Sequence, residues 1–200
     1  IILILKKVEN DIKNQYPNYS SDKIEEIMYG IEGIYLTITK SIIIFLCALI
    51  LGIFKELLYL LIAFNCIRLF AFGMHANKSW ICLIFSSSVF LTGAFLCKYI
   101  TISKEVLYVL YLLLLIIMIK YAPSDTVKRP LIKKKKRTMY KVLSIIITVT
   151  YFIITLFIQN NLIINSMVMG LIIECILIIP ITYKAFKMPY KNYVNYGLSA

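Results

Sequence analysis

The sequence has very few of the residues that metal and nucleotide sites require. It contains one histidine, one tryptophan, and 10 acidic residues against 22 lysines and arginines. With a single histidine and no Cys-x-x-Cys pair, it lacks the ligand set of a zinc site. It also lacks a glycine-rich phosphate loop and a Gly-x-Ser-x-Gly elbow, the motifs of nucleotide-binding proteins and serine hydrolases. We therefore expect neither a metal nor a cofactor.

Five cysteines, an odd number, argue against a disulfide framework. Four of them fall within or at the ends of apolar runs, where cysteine behaves as a small hydrophobe: Cys47, Cys66, Cys97 and Cys175. Cys82 differs, because it follows the only histidine, His75, by seven residues. An imidazole can take the proton of a thiol and return it to a leaving amine. The spacing alone is also compatible with coincidence.

The geometry of the pair depends on whether one helix contains both residues. Seven residues are two helical turns, so on one continuous helix both side chains would share a face. The intervening Asn77-Lys78-Ser79 can equally break that helix. The spacing therefore permits a catalytic pair without requiring one.

Long apolar runs dominate the chain, which is 60% hydrophobic with a mean hydropathy of +0.83. Crossing a hydrocarbon layer of ~30 Å takes ~20 helical residues, and in lipid such runs must be helical to pair their amide groups. Six runs are long enough or nearly so: residues 38–54, 57–75, 80–98, 105–122, 142–159 and 163–183. The first two, separated only by Lys55-Glu56, could instead form a re-entrant pair. We predict an all-α, polytopic integral membrane protein.

An amphipathic segment precedes the first run. Asp22 and Glu25 have the spacing of a capping box, and an apolar stripe follows at helical spacing: Ile24, Ile27, Met28, Ile31 and Tyr35. Such a helix lies in the membrane interface or packs on the bundle. The chain begins with Ile1 rather than Met, so we expect its start to have been trimmed.

These features divide the chain into three predicted parts. Residues 1–37 form a cytoplasmic amphipathic segment, and residues 38–183 form a six-helix membrane catalytic domain. That domain includes a basic cytoplasmic loop at 121–141. Residues 184–200 form a cytoplasmic tail.

The asymmetry of basic residues predicts the orientation. One set of alternate loops holds only Lys55, Lys98 and Lys104 of the 22 basic residues. The other set holds nearly all the rest and is therefore cytoplasmic by the positive-inside rule. Both termini, His75 and Cys82 are expected on the cytoplasmic side.

A net charge of +12 could suggest a nucleic-acid partner, but the basic residues are juxtamembrane rather than gathered on a separate domain. We therefore expect no nucleic acid. Lys133, Lys134 and Lys135 open the densest basic run. They can attract anionic lipid headgroups at ~1 kcal/mol per residue, or an acidic peptide substrate, and the two roles are compatible.

Two charged residues, Arg68 and Glu174, fall inside predicted spans. Each would cost ~2.5–3.5 kcal/mol at the bilayer centre. Both lie at about the same depth, ~12–14 Å from the cytoplasmic end at 1.5 Å per residue. A structural salt bridge is therefore possible. Alternatively, Arg68 could bind a substrate carboxylate bidentately.

Taken in order, these residues resemble the accessory gene regulator B (AgrB-like) family of membrane cysteine endopeptidases, which process quorum-sensing propeptides in Gram-positive bacteria. The resemblance covers roughly residues 60–185. It rests on Arg68, Ala71, Gly73, His75, Ala76 and Cys82, on Tyr121-Ala122-Pro123 with Thr126, Pro130 and the basic run, and on Ile172-Ile173-Glu174 with Pro180. Phe72 departs from the family, where many members have glycine. Asp125 does not occupy a uniformly acidic family position.

The resemblance implies a mechanism. The Cys82 thiolate would attack the scissile carbonyl of a short propeptide, with His75 as general base and then general acid. A substrate thiol would then convert the acyl-enzyme thioester into a cyclic thiolactone, or a hydroxyl into a lactone. Supporting or substrate-binding roles would fall to Arg68, Gly73, Ser79, Asp125, Glu174 and Lys133 to Lys135, with Asn77 a further candidate to orient His75.

The implied partners are the propeptide, membrane lipids and a second copy in a homodimer, in the bacterial cell membrane. Two other readings remain open: a transporter or exporter that uses Arg68 and Glu174, and a non-catalytic membrane scaffold. Inverted repeats would favour transport, and we find none in the sequence. A transporter should tolerate Cys82→Ala, whereas a cysteine protease should not.

Overall fold

The computed structural model describes residues 2–16, 19–74, 79–126 and 130–196. Every regular element within these ranges is a helix. A parallel bridge joins Phe72 to Ser124 outside any strand. The predicted all-α class is therefore confirmed. The chain divides into two compact units, residues 1–47 and 48–200.

The first unit contains α1 (Ile2–Gln15) and most of α2 (Ser21–Ile50). The Ser20 hydroxyl accepts the backbone N–H of Lys23 at 3.3 Å, so Ser20 occupies the N-cap position. The predicted box at Asp22 and Glu25 is thus displaced, because the helix begins before Asp22. The predicted boundary at residue 38 falls inside α2, so the amphipathic segment and the first apolar run share one helix.

The second unit contains the remaining helices, several of which are apolar enough to cross a membrane. They are α3 (Phe54–Ala71), α4 (Ser79–Tyr99), α5 (Lys104–Tyr121), α6 (Lys134–Phe157), α7 (Asn161–Ile178), α8 (Pro180–Ala185) and a 3-10 helix (Asn192–Tyr196). Three stretches in the described part of the chain have the length and apolarity of a span: Trp80–Tyr99, Lys134–Phe157 and Asn161–Ile178. Thr37–Ile50 is apolar but shorter. The count of six spans stays a prediction.

Helix α3 packs most extensively on α7 and also contacts α4 and α6. A Cβ added at Gly170 of α7 would lie 3.2 Å from the carbonyl carbon of Ala63, and one at Gly93 of α4 would lie 2.9 Å from Cδ2 of Leu60. Glycine permits such close approach between membrane helices. The Tyr151 hydroxyl of α6 also donates to the Ala63 carbonyl at 2.8 Å. Helix α3 is therefore held by α4, α6 and α7.

Two predicted spans end earlier than the hydropathy suggests. Helix α3 stops at Ala71 rather than at residue 75, because Phe72 and Gly73 adopt φ angles of 61° and 105°. His75 and the three residues after it lie outside the described residues, so whether one helix contains both members of the predicted pair stays a prediction. The run at 163–183 is divided at Ile179, because Pro180 has no N–H and favours an extended residue before it (ψ 145°).

Most of the basic run lies in a helix, whereas the sequence placed it in a loop. Helix α6 begins at Lys134. Lys134 to Lys136 therefore lie in its first turn, Lys133 is its N-cap residue, and residues 122–133 connect α5 to α6.

Candidate active site

Arg68, in the last turn of α3, forms an ion pair with Glu174 near the end of α7. Arg68 Nη1 lies 3.2 Å from Glu174 Oε2 and 3.4 Å from Oε1. The Glu174 side chain is 0% exposed, so its charge would be costly without this partner. The pairing that the matched depths make possible is present. Both residues stand about one turn from the ends of their helices, because α3 and α7 are shorter than the apolar runs.

The same guanidinium also holds the backbone that leads to His75. Arg68 Nη2 donates to the carbonyl oxygens of Gly73 at 3.1 Å and Met74 at 2.9 Å. With the two carboxylate contacts, one arginine joins α3, α7 and the segment that follows α3. A substrate carboxylate would have to displace Glu174 or these carbonyls. The geometry therefore favours the structural pair over a carboxylate-binding role for Arg68.

Backbone bonds fix residues 72–74 from two further sides. The N–H of Gly73 donates to the Ser124 carbonyl at 2.8 Å, and the N–H of Ser124 donates to the Ala71 carbonyl at 2.9 Å. The N–H of Met74 donates to the Leu177 carbonyl at 3.1 Å. The chain therefore reaches residue 74 in a position set by α3, α7 and the segment after α5.

Gly73 is required by both conformation and space. Its φ of 105° is one that side chains rarely adopt. A Cβ there would collide with the Arg68 guanidinium and would lie 3.1 Å from the Leu177 carbonyl oxygen. Gly73 therefore lets the backbone pass close to Arg68, and its predicted supporting role in catalysis stays a prediction.

The predicted catalytic residues flank the start of α4. His75 and Asn77 lie outside the described residues, as does the side chain of Ser79. Cys82 is half-buried in the first turn of α4. Its carbonyl accepts the Ser86 hydroxyl at 2.6 Å. The His75–Cys82 pair stays a prediction.

Asp125 is buried, with 3% of its surface exposed, and its carboxylate accepts three backbone N–H groups. Oδ1 accepts from Asn192 at 2.9 Å, and Oδ2 accepts from Tyr193 at 2.9 Å and from Leu131 at 3.3 Å. These bonds tie the chain after residue 190 to the segment between α5 and α6. Asp125 therefore has a clear positioning role for the backbone.

Tyr183 and Ser124 extend this network, and sequence reasoning missed both. The Tyr183 hydroxyl donates to the Asp125 carbonyl at 2.9 Å and accepts from the Ser124 hydroxyl at 3.0 Å. A tyrosine at the end of an apolar run was the available signal, because a buried phenol needs a polar partner. No sequence signal marks Ser124, because two of its hydrogen bonds, to Ala71 and Gly73, are made by backbone atoms.

The lysines at 133, 134 and 135 are exposed at the start of α6. They do not join the Arg68 or Asp125 networks. Among the described residues, no group of three or more histidine, cysteine or acidic side chains could hold a metal ion.

The all-helical fold, its span-length apolar helices and its buried ion pair define an integral helical membrane protein. The sequence model of the accessory gene regulator B family matches residues 5–178. The chain therefore belongs to this family, which is implicated in quorum sensing.

Curated relatives agree with this assignment. An AgrB-like protein of Clostridium acetobutylicum is 32% identical over 183 residues, covering 92% of this chain and 88% of the relative. Accessory gene regulator protein B of Staphylococcus aureus is 35% identical over 161 residues, covering 79% and 83%. An AgrB-like protein of Listeria innocua is 28% identical over 171 residues, covering 86% and 84%. No solved structure matches the chain.

Proposed function

We propose that this protein is a membrane cysteine endopeptidase that removes the C-terminal tail of a short quorum-sensing propeptide and promotes its cyclisation. Membership of the accessory gene regulator B family supports the biological role. The observation that carries the proposal is the anchored segment 72–74. Arg68, Ser124 and Leu177 fix the backbone immediately before His75, and Cys82 follows in the first turn of α4. A general base needs such fixed positioning relative to its nucleophile.

The reaction uses two residues, and His75 transfers one proton in each of its two halves. His75 takes the proton of the Cys82 thiol, and the thiolate sulfur attacks the scissile carbonyl carbon. The C–N bond breaks, the nitrogen leaves with the proton from His75, and an acyl thioester remains on Cys82. A substrate thiol then gives its proton to His75 and attacks the thioester. The thiolactone forms, and Cys82 leaves as a thiolate that takes this second proton from His75.

The membrane location explains how a ring can form in preference to a hydrolysed peptide. Exchanging one thioester for another is nearly neutral in energy, whereas attack by water is strongly downhill. Excluding water from the site therefore favours the intramolecular thiol. A site at the end of α3, beside apolar helices, suits that requirement.

Co-expression with the small open reading frame beside the gene, followed by mass spectrometry of the products, tests the proposal. Wild-type protein should release the C-terminal tail and a cyclic product that is lighter by one water than the hydrolysed core peptide. Cys82→Ala and His75→Ala should each abolish both products, while membrane-fraction levels stay normal. Cys66→Ala is the matched control, because Cys66 is an exposed thiol on α3. Wild-type cleavage by Cys82→Ala would end the hypothesis.

The charge asymmetry supports a cytoplasmic active site and cytoplasmic termini. Reporter fusions at Lys136 and at the C-terminus should report the cytoplasm, and a fusion at Asn160, the N-cap of α7, should report the outside. A cytoplasmic signal at Asn160 would show that the six-span topology is wrong.

A further inference from the structure

A basic cavity of about 220 Å³ lies where α5 ends, α6 begins and the chain turns at 190–193. Four cationic side chains and three tyrosines line it; the cations are Lys120, Arg137, Lys141 and Lys191. They come from three separate parts of the sequence. The fold therefore gathers positive charge at one end of the α5/α6 pair.

This charge is poorly neutralised within the protein. Among the described residues that line the cavity, Asp125 is the one carboxylate, and its oxygens already accept three backbone N–H groups. Among the described residues, no carboxylate lies within ion-pair distance of Lys120, Lys141 or Lys191. The cavity thus has an excess of positive charge that an anion can neutralise.

Two of the other lining groups are suited to hold an anion. The Arg137 guanidinium lies 4.0 Å from the centre of the Tyr193 ring, and its Nη1 donates to the carbonyls of Leu131 and Ile132. It is therefore held in place before any ligand arrives. Burial raises the pKa of Tyr190 to about 12, so its hydroxyl is protonated at neutral pH and can donate.

A second cavity, of about 250 Å³ and almost entirely apolar, lies between the same two helices. We call it the apolar groove. Its lining includes Leu112 and Leu115 of α5 and Val149 and Phe152 of α6. On α6, Lys141, Thr148 and Phe152 are seven and four residues apart, so one face of the helix reaches both cavities. The two cavities therefore lie along one line of contact between α5 and α6, here called the α5/α6 seam.

The spacing along this seam matches one lipid leaflet. At 1.5 Å per residue, Thr148 lies ~10 Å and Phe152 ~16 Å along α6 from Lys141. One leaflet of a hydrocarbon core of ~30 Å is ~15 Å thick. A phosphate in the basic cavity would therefore place an acyl chain in the apolar groove.

We propose that the α5/α6 seam is a specific site for one anionic phospholipid, with its phosphate in the basic cavity and an acyl chain in the apolar groove. Basic pockets between the ends of membrane helices commonly hold such headgroups. An extended acidic peptide fits the basic cavity but not the apolar groove, where its amide groups would lack hydrogen-bond partners. The proposal is independent of the peptidase activity.

Native mass spectrometry of the purified full-length protein, titrated with phosphatidylglycerol or phosphatidylcholine, tests the site. Wild-type protein should retain phosphatidylglycerol in preference to phosphatidylcholine. Lys141→Gln with Lys191→Gln should weaken phosphatidylglycerol binding about 30-fold. The control Lys136→Gln with Lys184→Gln removes the same charge from exposed positions outside the cavity and should change binding less than threefold.

A second pair of variants tests the groove without changing charge. Leu112→Phe fills the groove and should weaken binding about tenfold, by analogy with other small-to-large changes in packed sites. Leu113→Phe is the control, because Leu113 is a similarly exposed neighbour that does not line the groove. Both are surface substitutions, so they keep the test informative if the lysine variants fail to fold.

Three results would overturn the proposal. If both pairs of lysine substitutions weakened phosphatidylglycerol binding equally, general electrostatic attraction would explain the binding. Glycerol phosphate that competes as strongly as the diacyl lipid, with Leu112→Phe unaffected, would indicate a free-phosphate site. Loss of lipid preference together with retention of a synthetic acidic peptide, sensitive to the Lys141 and Lys191 changes, would assign the cavity to a peptide.

Discussion

Two buried carboxylates stand close to the candidate site, and the protein satisfies them differently. Glu174 faces one guanidinium, that of Arg68, whereas Asp125 accepts three backbone N–H groups. The Glu174 carboxylate depends on the charge of Arg68, so removing one partner leaves the other unpaired, whereas removing both removes the problem. The Asp125 arrangement depends only on the shape and acceptor capacity of the carboxylate, so no second side chain can compensate for its loss.

The largest effect is expected from Arg68→Gln, which leaves Glu174 buried and unpaired. Breaking a buried pair from one side typically costs ~3–5 kcal/mol. Glu174→Gln should also lower the yield of monodisperse protein in detergent, and the double variant should recover much of that yield. Cleavage should stay low in the double variant, because the Gly73 and Met74 carbonyls still lack the guanidinium. Zero coupling in both yield and activity would contradict the pairing.

Gly73→Ala should have the next largest effect, because the new methyl group meets Arg68 at a strained φ. We expect a loss of ~1–3 kcal/mol from backbone strain, with further loss if the ion pair shifts. Gly52→Ala is the control: Gly52 also has a positive φ, but its nearest neighbour is Lys98 Nζ at 4.0 Å. Its cost should be ~1 kcal/mol. Equal shifts in unfolding temperature would show that the space at Gly73 is unimportant.

Asp125→Asn should give a smaller and more local effect. One acceptor oxygen becomes a donor, so at least one backbone N–H loses its partner, at a cost of ~1–3 kcal/mol. Hydrogen exchange should accelerate at the amides of Asn192 and Tyr193. Asp11→Asn, an exposed acid on α1, should leave exchange at these amides unchanged. Rescue of Asp125→Asn by removing a nearby cation would contradict the contrast with Glu174.

The smallest effect is expected from Tyr183→Phe, which removes a hydroxyl that links Ser124 to the Asp125 carbonyl. A neutral hydrogen bond of this kind contributes ~0.5–1.5 kcal/mol. The unfolding temperature should fall slightly more than for Tyr59→Phe, whose ring is exposed on α3. A larger fall than for Asp125→Asn would mean that the hydroxyl, rather than the carboxylate, dominates this network.

Sequence reasoning located the helices well because lipid imposes a strong constraint on apolar runs. It also found the Arg68–Glu174 pair, since two charges at equal depth are costly apart. It missed the end of α3, because the positive φ of Phe72 is imposed by bonds from Ser124 and Leu177, which are distant in sequence.

The role of Asp125 was also out of reach. Its partners are backbone N–H groups, two of them 67 and 68 residues away. Every non-proline residue carries such a group, so no side-chain pattern marks them. The carboxylate itself was visible in the sequence, but its use was not.

The glycine contacts of α3 have a consequence for how the protein responds to its bilayer. Gly93 and Gly170 leave almost no room against α3, so sliding α3 by one residue, ~1.5 Å, would drive side chains into neighbouring backbone. Hydrophobic mismatch in a thinner or thicker bilayer would then be met by tilt of the packed helices together or by deformation of the lipid. The height of the Arg68 anchor relative to α4 and α7 is thus set by protein packing and is insulated from membrane thickness.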